Sequence, residues 1–157
     1  MRIPAARVDQ IIPTMPGTEG EDFMYGTGLA MAWSCRPHPA EPGMLVIEAD
    51  LMVDPDDLAC IEDAVEEQPR DVVAAPYVCW PVSTALEHPM TLPRFNHGVH
   101  VFGLGCTWLP AKLIESMYSE LSHLTWTQLD VGFSKRAMEL GLTVRMPHGT
   151  SVKHAHY

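Results

Sequence analysis

Glu48 and Asp50 stand two residues apart, directly after the apolar run Met44-Leu45-Val46-Ile47. Along an extended chain that spacing turns both carboxylates to one side. In open α/β sheets ligands bind beyond the carboxyl ends of the strands, so the pair occupies a position where chemistry is usually done. Its carboxylates are hard oxygen donors of the kind that Mg²⁺ and Mn²⁺ take, alongside phosphate oxygens and water. Both residues serve equally well as solvated groups at a strand end, or as caps of the helix that follows. Asp130 is a third acid of interest, and three residues before it Thr127 suggests a plainer use, a capping box with Asp in place of Glu. His148, His154 and His156 crowd the C-terminal stretch, where imidazoles suit either a metal or ordinary terminal polarity.

These residues need elements to hold them. Met44–Ile47 is rich in aliphatic and β-branched side chains and does not alternate, which predicts a strand covered on both faces. A helix follows: Asp54 is a good N-cap, Pro55 suits the first helical position, and Asp56 and Asp57 favour the positive end of the helix dipole. Leu58, Ile61 and Val65 make its apolar face, and Pro69 stops it. Upstream, Val8–Ile12 reads as a first strand ending in the Pro13-Thr14 turn, Leu29–Cys35 as a short helix, and Arg36–Gly43 as a loop. Downstream, Asp71–Ala75 reads as another buried strand and Pro76–Phe95 as irregular. Gly98–Phe102 resembles a strand, and Gly103 and Gly105 after it suggest close approach of the backbone to a ligand or to another strand. Pro110 opens a helix with Leu113, Ile114, Met117 and Leu121 on one side. Thr127–Leu140 is a further helix, striped by Leu129, Phe133, Ala137 and Leu140 and stopped by Gly141. Leu142–Met146 is a last strand, and His148–His156 a tail. Alternating buried strands and helices predict an α/β domain with a mainly parallel sheet flanked by helices.

Composition narrows the possibilities. At 157 residues the chain has room for one core, so residues 1–157 are expected to be a single compact domain. With 46 % apolar and 19 % charged residues it is globular, not disordered. A net charge of −10 argues against a broad nucleic-acid-binding face, while leaving room for a local basic cleft. Nine of the 20 acidic residues fall between Glu48 and Glu67, so most of the excess is one helix face and its turn. Cys35, Cys60, Cys79 and Cys106 form no CxxC pair, which favours buried free thiols in a reducing cytoplasm over zinc or a redox dithiol. No apolar run approaches the length of a membrane span, and no GxGxxG or Walker pattern follows the first strand. A soluble, cytoplasmic protein is expected.

Taken in chain order, four pieces resemble the GT-A type nucleotide-sugar glycosyltransferases related to family 2. Ile11-Ile12-Pro13-Thr14 looks like their opening strand and turn. Leu45-Val46-Ile47-Glu48-Ala49-Asp50 with Asp54-Pro55 looks like the strand that bears the DxD motif. Gly103-Leu104-Gly105-Cys106-Thr107 looks like the small-residue strand before the acceptor-side helix. Trp126–Gly141 and Val152-Lys153-His154 look like the stretch that holds the catalytic acid and the C-terminal histidine. Three departures stand out: Glu48 replaces the usual first Asp, Leu129 stands where the acidic pair has its first member, and the segment between the first strand and the acidic strand is short.

The resemblance implies a GT-A-like (Rossmann-like) fold and transfer of a sugar from a UDP- or GDP-type nucleotide-sugar donor to an acceptor hydroxyl, with inversion. It implies Mn²⁺ or Mg²⁺ bound by Asp50, with His154 and Glu48 as further metal-site residues. Pro13, Thr14, Gly17, Glu48, Asp50 and Gly105 would line the donor, and Asp130 would act as general base. A divalent cation suits a diphosphate leaving group because it meets the developing negative charge. A carboxylate suits the base because it can take the hydroxyl proton as that oxygen attacks. The rival reading is a non-catalytic nucleotide-sugar or metal-binding module of the same fold. The acceptor stays open, a nucleic acid included, though charge does not point to one.

Overall fold

The buried apolar runs Met44–Ile47 and Asp71–Ala75 contribute strands to one sheet in the computed structural model, which describes residues 5–7, 24–48, 51–78, 94–96, 99–150 and 152–154. The sheet comprises β1 (Ala5–Arg7), β2 (Gly43–Ile47), β4 (Val72–Ala74), β8 (Cys106–Pro110) and β9 (Val144–Arg145), in the order β1-β2-β8-β4-β9. β1 pairs parallel with β2 and β4 parallel with β9, whereas β8 runs antiparallel to both of its neighbours. The protein is therefore an α/β domain with a mixed sheet, which corrects the expectation of a mainly parallel one. A strand covered on both faces loses its alternation whichever way it runs, so apolar character alone carried no sign of direction. The first described strand is Ala5–Arg7, and the predicted strand Val8–Ile12 lies outside the described residues.

Among the described residues four α-helices pack on the sheet: α1 (Met24–Ser34), α2 (Pro55–Glu67), α3 (Ala111–Met117) and α4 (Trp126–Glu139). Alternation along the strands divides the core in two. Met44, Val46, Val72, Ala74 and Leu109 pack with Leu29 of α1, Leu113 of α3 and Phe133 of α4. Leu45, Val73, Cys106 and Trp108 pack on the other side with Ile61 and Val65 of α2. Gly43 marks how closely β2 and β8 approach, since a Cβ there would lie 2.4 Å from the Leu109 carbonyl oxygen and 2.6 Å from the Trp108 ring. Trp108 itself donates its indole N–H to the Pro69 carbonyl at 3.2 Å, which makes it a core residue.

The helix ends follow their residue types. Asp54 Oδ1 accepts the N–H groups of Asp56 and Asp57 at 2.9 Å each, and Asp57 Oδ2 accepts the Asp54 N–H at 3.3 Å. That reciprocal arrangement is a capping box with Asp57 as its second member. α4 is capped by Thr125, whose N–H is accepted by Gln128 Oε1 at 2.9 Å. The Thr127–Asp130 box is thus corrected: the helix starts earlier, and Asp130 lies one turn inside it. At the other end Gly141 takes φ of 66°, and the N–H groups of Gly141 and Leu142 reach back to the carbonyls of Met138 and Ala137. That pairing is a Schellman stop, which needs the left-handed conformation glycine adopts without strain.

Among the described residues there are two smaller sheets. β3 (Leu51–Met52), β10 (Val152–His154) and β5 (Tyr77–Val78) lie in the order β3-β10-β5, so the chain leaving β2 and the chain leaving β4 flank one C-terminal strand. The stretch read as a tail therefore contains a strand, anchored by the buried Val152. β6 (Arg94–Asn96) and β7 (Val99–Val101) form an antiparallel pair. β5 and β6 stand within or across the ends of the stretch read as irregular, and residues 79–93 of it lie outside the described residues.

Because Asp54 satisfies two orphan N–H groups of α2, Asp54→Ala should destabilise the protein by about 1 kcal/mol. Thermal unfolding followed by circular dichroism should show the midpoint fall by roughly 2–4 °C; an unchanged midpoint would refute the cap.

Candidate functional site

The centre of the site is a short backbone bridge between α4 and β2. Four of its peptide groups alternate between donor and acceptor, and each has a partner. The Phe102 N–H donates to Ser134 Oγ at 3.0 Å, and the Gly103 carbonyl accepts from Thr107 Oγ1 at 2.8 Å. The Leu104 N–H donates to Asp130 Oδ1 at 3.2 Å, and the Gly105 carbonyl accepts the Glu48 N–H at 2.7 Å. Asp130 on α4 and Glu48 at the end of β2 are thereby joined through two consecutive residues, Leu104 and Gly105. Both acids are half-buried, while the bridge from Phe102 to Gly105 is buried throughout.

Beyond Glu48 the chain turns, with the Leu51 N–H donating to the Glu48 carbonyl at 3.2 Å. Leu51, which follows Asp50 in sequence, pairs with His154 across β3 and β10. The backbone of the C-terminal histidine is therefore laid beside Leu51, a juxtaposition that no local pattern in His148–His156 announces. Asp50 itself lies outside the described residues, as do Pro13, Thr14 and Gly17, and the side chain of His154 is likewise not described. Among the described residues, no group of three His, Cys, Asp or Glu side chains is arranged to hold a metal ion. Of the sequence-predicted site residues, the fold brings together Glu48, Gly105, Asp130 and the backbone of His154.

Sequence reasoning did not single out Ser134, and it took Asp57 only as a first-turn acid and Cys106 only as a buried thiol. Ser134 lies one turn after Asp130, and its hydroxyl donates to the Asp130 carbonyl at 2.6 Å while accepting from Phe102. Spacing by four residues is the only trace this leaves in sequence. Asp57 was read as a solvated first-turn acid, yet it is only 3 % exposed. Cys106, fully buried on β8, has its thiol pushed up to about 12, first by burial and then by the negative charges of Asp57 and Glu48. Cys60 is half-buried and Cys35 exposed, so the expectation of buried thiols fails for Cys35, while Cys79 lies outside the described residues.

No family model matches the chain, and no curated protein matches it. Among the described residues no helix is long and apolar enough to cross a membrane.

The Cys106 environment sets a pH dependence with a definite sign. In the folded protein the thiol keeps its proton to about pH 12, whereas its ordinary value is 9.0. The folded state binds the proton more tightly, so this contribution is complete below pH 9 and is lost as pH rises toward 12. Chemical denaturation at about pH 8 and about pH 10.5 should show wild type losing more stability over that interval than Cys106→Ala. An equal loss in both would refute it. A disulfide reagent at pH 8 should give the same prompt thiol signal with wild type and Cys106→Ala, since a buried protonated thiol is inert.

Proposed function

We propose that the protein is a GT-A-like, metal-dependent glycosyltransferase, moving a sugar with inversion from a nucleoside-diphosphate-sugar donor to an acceptor hydroxyl. One observation carries the reading: Glu48 and Asp130, 82 positions apart in sequence, meet through the Leu104–Gly105 backbone, with His154 paired beside the residue that follows Asp50. Glu48, Gly105 and Asp130, to which the family resemblance gives metal, donor and base roles, are linked through this stretch of backbone, which supports the reading. β1, β2, β4 and β9 share one direction, so the acidic end of β2 stands at the edge where α/β sheets bind ligands.

In this reading Asp50 would hold Mn²⁺ or Mg²⁺, with His154 and Glu48 as further metal-site residues, the Glu48 carboxylate being a hard donor suited to either ion. When bound, such a cation would supply positive charge to offset that of a diphosphate leaving group. Pro13, Thr14 and Gly17 and the backbone around Gly105 contact the donor, whose base is of the uridine or guanosine type. Asp130 takes the proton of the acceptor hydroxyl as its oxygen attacks the face opposite the leaving group. The Leu104 N–H donates to Asp130 Oδ1 and helps to hold the carboxylate in place. Free thiols such as Cys35 and Cys106 accord with a reducing cytoplasm as the setting.

One feature favours the alternative, a non-catalytic module that binds nucleotide sugar or metal. Leu129 is fully buried in the core at the position where the family's acidic pair has its first acid.

Donor turnover decides between them. Across a panel of nucleotide sugars with Mn²⁺, Mg²⁺ or chelator, wild type should release one nucleoside diphosphate in a metal-dependent way. Asp50→Ala should abolish that release. Asp130→Asn should keep donor binding and slow transfer at least about 100-fold, the usual scale of general-base catalysis. Metal-dependent binding without turnover, with acceptors supplied, would favour the module. No binding of any donor with either metal would sink both readings.

A further inference from the structure

Ser134 sits at the point where helix α4 meets the Phe102–Gly105 bridge, and it is only 3 % exposed. Its hydroxyl has one proton, which goes to the Asp130 carbonyl at 2.6 Å, and its lone pairs face the Phe102 N–H at 3.0 Å. Two positions further along, the Leu104 N–H meets the Asp130 carboxylate at 3.2 Å. Both bonds join the same turn of α4 to the same strip of backbone, so each fixes the distance over which the other forms. The Phe102 N–H bond is the shorter of the two and lies in fully buried surroundings, where an unmade bond leaves a polar group without water. Phe102 and Leu104 belong to the same buried cluster as Leu129 and Phe133, so side-chain packing and these two hydrogen bonds together set the spacing of the bridge from the helix.

We infer that Ser134 is a positioning residue that holds the Leu104 N–H on the Asp130 carboxylate, and so aims that carboxylate. The inference deepens the glycosyltransferase reading and rests on it for any effect on turnover, but the clamp itself is measurable without a substrate.

The test is amide hydrogen exchange of the full chain together with kinetics on the donor that wild type turns over. Ser134→Ala preserves the packing volume while removing both hydroxyl bonds; Ser134→Cys retains a weaker donor and acceptor. In Ser134→Ala the Leu104 amide should exchange roughly five- to tenfold faster, the scale of one lost hydrogen bond, while Val73 in the middle of the sheet is unchanged. Ser134→Cys should recover part of that protection. Turnover should fall by a similar factor at unchanged KM for the donor, the pattern of a group that acts only in the transition state. Leu104 exchange that matches wild type would overturn the clamp, whatever happens at Phe102. Faster Leu104 exchange with unaltered turnover would overturn the positioning role and leave Ser134 a packing residue. Were wild type to turn over no donor, the proposed activity would fail, and Leu104 exchange would still judge the clamp.

Discussion

Four alternating peptide groups, from the Phe102 N–H to the Gly105 carbonyl, are each bonded to a different partner on α4, β8 or β2. Buried backbone must find partners, and here a segment too irregular to pair as a strand finds them in side chains. Ser134 and Asp130 supply two, Thr107 a third, and the backbone of Glu48 the last. The consequence is that an acid in a helix and an acid at a strand end are held at a fixed separation through one stiff link. Much of the candidate site's geometry depends on that link.

The bridge also explains the reversed strand. Leaving the bridge, the chain enters β8 and runs back between β2 and β4, so that Cys106, Trp108 and Leu109 complete both halves of the core. β8 must pass close to β2, and Gly43 is the position where a side chain would prevent it. Cys106, at the start of β8, keeps its thiol protonated first because it is buried and then because of the negative charges of Asp57 and Glu48. Core and site are consequently not separate regions: residues that close the sheet also carry the bridge.

Features set by short-range rules were legible in the sequence. Asp54-Pro55 marked the start of α2, Gly141 the end of α4, and Leu113, Ile114 and Met117 the buried face of α3. The direction of β8 was not legible, because a strand buried on both faces shows the same apolar run in either orientation. The cap of α4 was misread because Thr125 with Gln128 and Thr127 with Asp130 both satisfy the capping pattern, and only the tertiary bond from Leu104 explains why Asp130 points elsewhere. β10 was missed since three residues flanked by polar neighbours give no period, and its place between β3 and β5 is wholly a matter of long-range pairing. At the site, Glu48, Gly105 and Asp130 were named from a family resemblance, whereas Ser134 became visible only once its two hydrogen bonds were.

The central claim is that a nucleoside diphosphate and a divalent cation meet beyond the end of β2, beside β10. Substoichiometric Mn²⁺ added with UDP or GDP to the isotope-labelled protein tests it directly, because the paramagnetic ion broadens the amide resonances nearest to it. The amides of Glu48, Leu51 and His154 should broaden first, and only when the nucleotide is present. Broadening centred on Asp63, Glu66 and Glu67 of α2, or none at all, would contradict the account.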